Sequence, residues 1–408
     1  MKDWLRTFLL CTLAALIPWT ATAVFQTPAP AEPVAELQKK IARGEVKLDF
    51  AEPRGYLDSV LKVLKIPLSS QVLVFSRSSF QLHLISPSRP RSMYFNDEVY
   101  VGYAQGGDFL ELGSVDPKLG PIFYTLKQER TARPRIEQPG EEQCLVCHDS
   151  AQSGGPIPRL LMLSVLPDAT GTALGAKSVI TNDQSPLNQR WGGWYVTGTH
   201  GRQRHLGNMI VREPASSIGK IEDYAAKADL NAGANVTSLN QRFDVTPYPS
   251  AHSDIVALMI LGHQTHLHNL IALARFREAA EQETLAERIV RTMFFVDAAP
   301  LTDRVSGATT YGTEFMKLGP FDSRRRSLRE LDLNTRLFRY PLSYLIYSKA
   351  FDALPANMKT HAYRRMWEVL TGKERSTAFA HISDADRQAI LEILQQTKPD
   401  FVAAQPNP

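Results

Sequence analysis

Residues 142–149 read Glu-Gln-Cys-Leu-Val-Cys-His-Asp, and apart from Cys11 they hold the only cysteines in the chain. Two thiols three positions apart, followed at once by an imidazole, offer several chemistries. A Cys144–Cys147 disulfide would close a tight loop, which stabilises little through chain entropy and is more often a redox centre than a staple. Zinc wants four ligands, commonly a second cysteine pair or paired histidines, and there is no second cysteine pair. A thioredoxin-like dithiol follows a strand and precedes a helix, whereas residues 135–143, "RIEQPGEEQ", do not read as a strand. A further chemistry is thioether formation. Two thiols about one helical turn apart can add to the two vinyl groups on one edge of a haem, and the next residue then reaches the iron.

In this last respect the segment resembles the c-type cytochrome superfamily, with Cys144, Cys147 and His148 matching its attachment motif residue by residue. The resemblance implies one covalent haem c, held through Cys144 and Cys147, with His148 as the proximal iron ligand. A second likeness lies in Gly155-Pro156-Ile157, similar to a Gly-Pro-x-Leu segment of small cytochromes c. There the proline carbonyl accepts the ligand histidine's Nδ1–H and fixes its tautomer; here Ile157 stands where Leu is usual. The likeness covers about 20 of the 408 residues. A lone Cys-x-x-Cys-His argues against dihaem peroxidase-like proteins, which need two.

For the opposite side of the iron the chain offers several ligands. Met162 follows His148 closely, Met209 lies some tens of residues on, and His200 and His205 sit in a Gly-rich stretch. The segment from 250 has helical periodicity. On it His252, Met259, His263 and His266 fall in one stripe, while His268 points elsewhere. A rigid helix holds ligand geometry better than a Gly-rich loop, so His263 is the expected distal ligand, with Met259, Met209 and His205 as alternatives. The competing reading is a core face whose histidines are satisfied by hydrogen bonds. Trp191, Trp194 and Tyr195 could shield a haem or simply form a hairpin's apolar face. Arg324, Arg325, Arg326 and Arg329 could meet propionates, although a charge run is more often a solvated face.

The elements that must position these groups divide the chain. Residues 1–23 have the form of a secretory signal peptide: Lys2 and Arg6, an apolar run too short to span a membrane, then Ala21-Thr22-Ala23. Residues 24–52 read as a tether. Residues 53–135 read as a helix and an antiparallel meander over 70–127, with strands at 71–75 and 98–104 and turns at Gly106-Gly107 and Asp116–Pro121. Residues 136–249 read as a β-rich region carrying the motif, and 250–408 as helical. Ser383 is an expected N-cap and Gly372 an expected helix stop. The expected fold class is therefore α+β, with a β-rich front half and an all-α rear half.

The formal charge of +4 is small and spread out, so nothing points to nucleic acid. No segment beyond the leader has the length and apolarity of a transmembrane span. Phosphate-loop, HExxH and GxSxG motifs are lacking. The expected protein is an exported, periplasmic or secreted, monohaem cytochrome that exchanges electrons with a periplasmic redox partner or a small-molecule substrate. About 385 residues after the leader exceed what electron shuttling needs. A haem enzyme, such as a peroxidase or small-molecule oxidase or oxygenase, is the alternative, and a haem-based sensor is the other.

Overall fold

Between Gln71 and Lys127, β-branched and aromatic residues recur between Gly, Pro and Asn turns, and this stretch forms the scaffold of the molecule. The computed structural model describes residues 30–139, 148, 157–175, 178–213 and 229–404. The leader, Cys144, Cys147, Gly155 and Pro156 lie outside the described residues.

The first strands are β1 (Val72–Val74), β2 (Arg91–Phe95), β3 (Val99–Tyr103), β4 (Phe109–Asp116), β5 (Gly120–Lys127) and β6 (Ile136–Glu137). Then come β7 (Leu163–Ser164), β8 (Val179–Ile180), β9 (Trp194–Tyr195), β10 (Gly198–Thr199) and β11 (Ser306–Gly307). β1 to β5 form the expected antiparallel meander, extended at its edges to the order β6-β5-β4-β3-β2-β1-β9. Two features differ from expectation. β2 occupies a Ser- and Arg-containing stretch with no strong strand signal. The segment before the cysteines contains β6, pairing Leu126 with Ile136, where no strand was expected.

Both faces of this sheet are covered. Tyr94, Val99, Val101, Tyr103, Leu110, Leu112, Tyr124 and Leu126 face a cluster supplied by two N-terminal helices, α1 (Pro33–Ala42) and α2 (Leu57–Val63). α1 is a correction to the tether expected over 24–52. The Glu32 carboxylate caps its first N–H groups, Pro33 suits its first turn, and Val34, Leu37 and Ile41 bury its apolar side.

The other sheet face meets α3 (Ile255–Leu273), whose start is capped by the Asp254 carboxylate. α3 is buried on nearly every side, as an all-round apolar helix must be. Three further long helices, α4 (Ala279–Met293), α5 (Ala356–Leu370) and α6 (Asp384–Thr397), share its core. Ser383 accepts from the Asp386 N–H as an N-cap, and Gly372 takes φ +75° just past α5, both as the sequence implies. Within the region expected to be helical, the segment 340–351 is not one continuous helix. Ser343 and Ser348 each cap a new short turn, which breaks the run into pieces.

The fold is α+β, with the sheet in the front half and helices mostly in the rear. Residues 31 onward form one compact unit, in which β9 hydrogen-bonds to β1 and α3 lies against β5. Among the described residues no helix is long and apolar enough to cross a membrane.

Candidate functional site

His148 is placed by two backbone bonds and one ring contact. Its Nδ1 lies 2.5 Å from the Arg159 carbonyl oxygen, and the Arg159 N–H returns to the His148 carbonyl at 2.9 Å. Because a carbonyl only accepts, Nδ1 carries the proton and Nε2 carries the lone pair. Burial pulls the imidazole's pKa below its ordinary value, against the bond to Arg159 that raises it. The ring packs on Phe123 with centroids 4.2 Å apart. Among the described residues nothing hydrogen-bonds Nε2. A neutral imidazole with Nδ1–H donated to a carbonyl is the form that ligates metals.

The expected acceptor, Pro156, lies outside the described residues; among those described, the acceptor is the carbonyl of Arg159. The segment carrying it is clamped to α3 by Asn269, whose side-chain amide accepts from the Leu160 N–H at 2.9 Å and donates to the Leu160 carbonyl at 2.8 Å. α3 therefore fixes the orientation of His148 through a side-chain amide and a short stretch of backbone.

His148 lines a cavity of about 270 Å³ between the second face of the sheet and α3. The sheet contributes Arg91 and Met93 from β2, Tyr100 and Gly102 from β3, Glu111 and Gly113 from β4, and Phe123 from β5. α3 contributes Leu261 and Thr265, and the segment before and within β7 contributes Leu160 to Leu163. Two strand glycines keep this wall low. A Cβ at Gly102 would come within 3.0 Å of Arg91 Nε, so glycine there lets the Arg91–Glu111 ion pair lie against the sheet. At Gly113 the nearest atoms to a Cβ would be those of Phe123 and Tyr100, at 3.6 and 3.7 Å, ordinary contact distances on the sheet face that lines the cavity. Glycine inside a strand often marks such a close approach by a ligand, and neither residue was singled out from the sequence. Arg91 and Glu111 lie 3.2 Å apart, and Ser79 donates to Glu111 at 2.6 Å, which gives the cavity one polar region in an otherwise apolar lining.

Of the expected distal ligands, the structure brings none of His263, Met259, Met209 and His205 to this cavity. α3 turns about 100° per residue. Leu261 and Thr265 face His148, so Met259 and His263, each two positions away, point to the opposite side. His263 is also fully engaged: Nδ1 is 2.7 Å from Asp183 Oδ2 and Nε2 is 2.7 Å from Ser343 Oγ. His266 Nδ1 takes the other Asp183 oxygen at 2.8 Å. Burial opposes the charge of Asp183, but the two histidines more than offset it and hold the carboxyl well below its ordinary range. His263 and His266 thus form a hydrogen-bonded core face, whereas His252, expected on the same stripe, precedes the helix, which starts at Ile255.

Met209 and His205 line a separate pocket, where His205 is flanked by His200 and Trp191. The residue that does share the cavity with His148 is Met162, 2% exposed, the nearer methionine in sequence. Trp194 lines it too, its indole N–H held by the Leu163 carbonyl at 2.7 Å.

The arginine run serves the fold. Arg329 is buried between Tyr344 and Phe315 and pairs with Asp97, while Arg324 and Arg326 pair with Glu392. None of them lines the His148 cavity. Among the described residues no group of three or more His, Cys, Asp or Glu side chains is placed to hold a metal ion. No family model, curated protein or solved structure matches the chain.

Proposed function

We propose that the chain is an exported cytochrome carrying one covalent haem c, with Cys144 and Cys147 as thioether residues and His148 as proximal ligand. The observation that carries this reading is the state of His148. Its Nδ1–H is donated to the Arg159 carbonyl, and it lines a cavity against a sheet face in which Gly113 presents no side chain beside Phe123. Those residues suit a planar apolar group with a metal at its centre. Bound there, the iron would supply one-electron exchange. The protein would contribute the orientation and basicity of His148, an apolar enclosure from Met93, Leu160 and Leu261, and a charged region at Arg91 and Glu111. Met162 is the thioether available as a sixth ligand. The exported location rests on the leader alone, and the exchange partner is a periplasmic redox protein or a small molecule.

The test is attachment. Coexpressed with cytochrome c maturation factors, the chain should stay coloured after denaturing electrophoresis. Its mass should exceed that of the chain beginning near Val24 by one haem. A colourless protein with two free thiols from such cells would end this reading.

One observation favours the second reading, a haem enzyme. Arg91 and Glu111 place an ion pair, 15% exposed on each side, in the same cavity as His148. Polar groups beside an iron are what bind or protonate a small substrate. Carbon monoxide separates the two readings: a filled sixth position excludes it from the ferrous protein, whereas an open site binds it at once.

A further inference from the structure

We propose that the chain has a second ligand site, for a small organic carboxylate, in the cavity on the other side of α3, with Arg190 and Arg336 as its anion-binding groups. This cavity measures about 440 Å³, within the range of small-molecule sites. It stands apart from the His148 cavity, because Met259 faces one and Leu261 the other.

The argument starts from Arg190, which is 6% exposed. A guanidinium has five N–H donors. Arg190 spends Nε on the Ser185 carbonyl and one Nη2 proton on the Asp183 carbonyl, both at 2.7 Å. Both acceptors are neutral carbonyls, and no carboxylate among the described residues reaches the guanidinium. A buried charge without a contacting counter-ion is costly, and burial lowers the Arg190 pKa to about 10, eased by Asp183 through space.

Asp183 is the natural partner, but its two carboxylate oxygens are occupied by the Nδ1 atoms of His263 and His266. The histidine stripe therefore has a consequence outside the core. By holding the Asp183 carboxylate, it leaves the Arg190 donors turned to the cavity.

A second guanidinium lines the same space. Arg336 shares the Asp386 carboxylate with Arg339, donates also to the Arg339 carbonyl at 2.9 Å, and has its Nε 3.9 Å from Asp332 Oδ2, so it adds positive charge to the wall rather than an unengaged fork. The one other acid on the wall, Asp297, is exposed and paired with Arg291. The remaining lining includes Met259, Phe295, Leu337, Phe338 and Pro341. One buried donor fork, that of Arg190, with the charge of Arg336 on the same wall of a mostly apolar cavity, matches a carboxylate on an aromatic or branched aliphatic body.

Benzoate is the probe, with benzyl alcohol as its uncharged counterpart. Haem-loaded full-length protein is titrated by calorimetry while its optical spectrum is recorded, so that binding at iron would be seen separately. Benzoate should bind without a spectral change, and benzyl alcohol should bind roughly tenfold or more weaker, the size of a lost charge-assisted bond. R190Q should weaken benzoate to the same degree. A378W, which fills the cavity from a half-exposed position on its wall, should abolish it; R336Q gives an independent reading where R190Q does not fold. Equal binding of the two probes, unchanged affinity in folded R190Q and R336Q, binding retained in A378W, or no binding of benzoate at millimolar concentration would each overturn the site.

Discussion

Arg159 meets His148 twice through its backbone, accepting from the ring at Nδ1 and donating its N–H to the His148 carbonyl. The pairing fixes both the tautomer and the direction of the imidazole without using a side chain. It depends on where residues 159 and 160 are held, and that is set by Asn269 on α3.

This makes Asn269 a positioning residue with a measurable role. N269L keeps the volume but leaves the N–H and carbonyl of Leu160 unpaired. Two orphaned, partly buried groups cost about 2–6 kcal/mol together. Urea unfolding should register that loss, and the optical spectrum of loaded protein should become heterogeneous as His148 loses its fixed acceptor. A variant as stable as the parent, with an unchanged spectrum, would show that the clamp does not control the histidine.

The distal position can be tested by contrast. M162A should shift the spectrum and lower the reduction potential, since a thioether favours ferrous iron. H263A should leave both unchanged and instead lower stability by about 3–5 kcal/mol, because a buried carboxylate loses a partner and Ser343 loses its acceptor. The reverse pattern, a high-spin H263A and a silent M162A, would restore the helical histidine as the ligand.

That contrast also explains what the sequence could and could not tell. Helical periodicity correctly groups Met259, His263 and His266 on one side of α3, but it carries no information on which side faces His148. The answer depends on Asp183, 80 residues away, and on the packing of Leu261 and Thr265 toward the sheet. The meander was legible because its strands alternate with Gly, Pro and Asn turns. β6 was not, since two residues between charged and proline neighbours carry no pattern of their own. The Arg159 carbonyl has no sequence signal, being backbone. Gly102 and Gly113 do have one: a glycine inside an otherwise apolar strand asks what lies against it.

Gly113 gives a third test. Its Cβ would fit at ordinary contact distance, so G113L would send its side chain past that point into the cavity. The variant should be at least as stable as the parent, because it fills apolar space. Its ratio of haem to protein should nevertheless fall several-fold. Full loading of folded G113L would mean that the haem lies elsewhere.

The last expectation concerns acid, and it follows from two histidines outside both cavities' chemistry. Burial lowers the pKa of His268 from 6.5 to about 4, against a backbone bond from its Nε2 to the Asp97 carbonyl at 2.9 Å. Burial, with His200 alongside, lowers that of His205 to about 3. In each case the folded protein holds the neutral ring, while the unfolded chain takes up a proton near pH 6.5. Below that value the unfolded state binds more protons, so stability falls as pH falls. Each histidine contributes a slope of about 1.4 kcal/mol per pH unit until its own folded pKa is reached. Asp183 acts later. Its folded pKa is depressed, so its contribution is intact above the ordinary carboxyl range and is lost only as pH drops through and below it. The acid limb should therefore begin near pH 6.5, well above the carboxylates. H268Q keeps a donor for the Asp97 carbonyl and removes the titrating ring. Urea unfolding at pH 7, 5.5 and 4.5 should show a shallower slope in H268Q, by about 1.4 kcal/mol per unit. Parallel curves for parent and variant across that window would mean that His268 is already protonated in the folded protein.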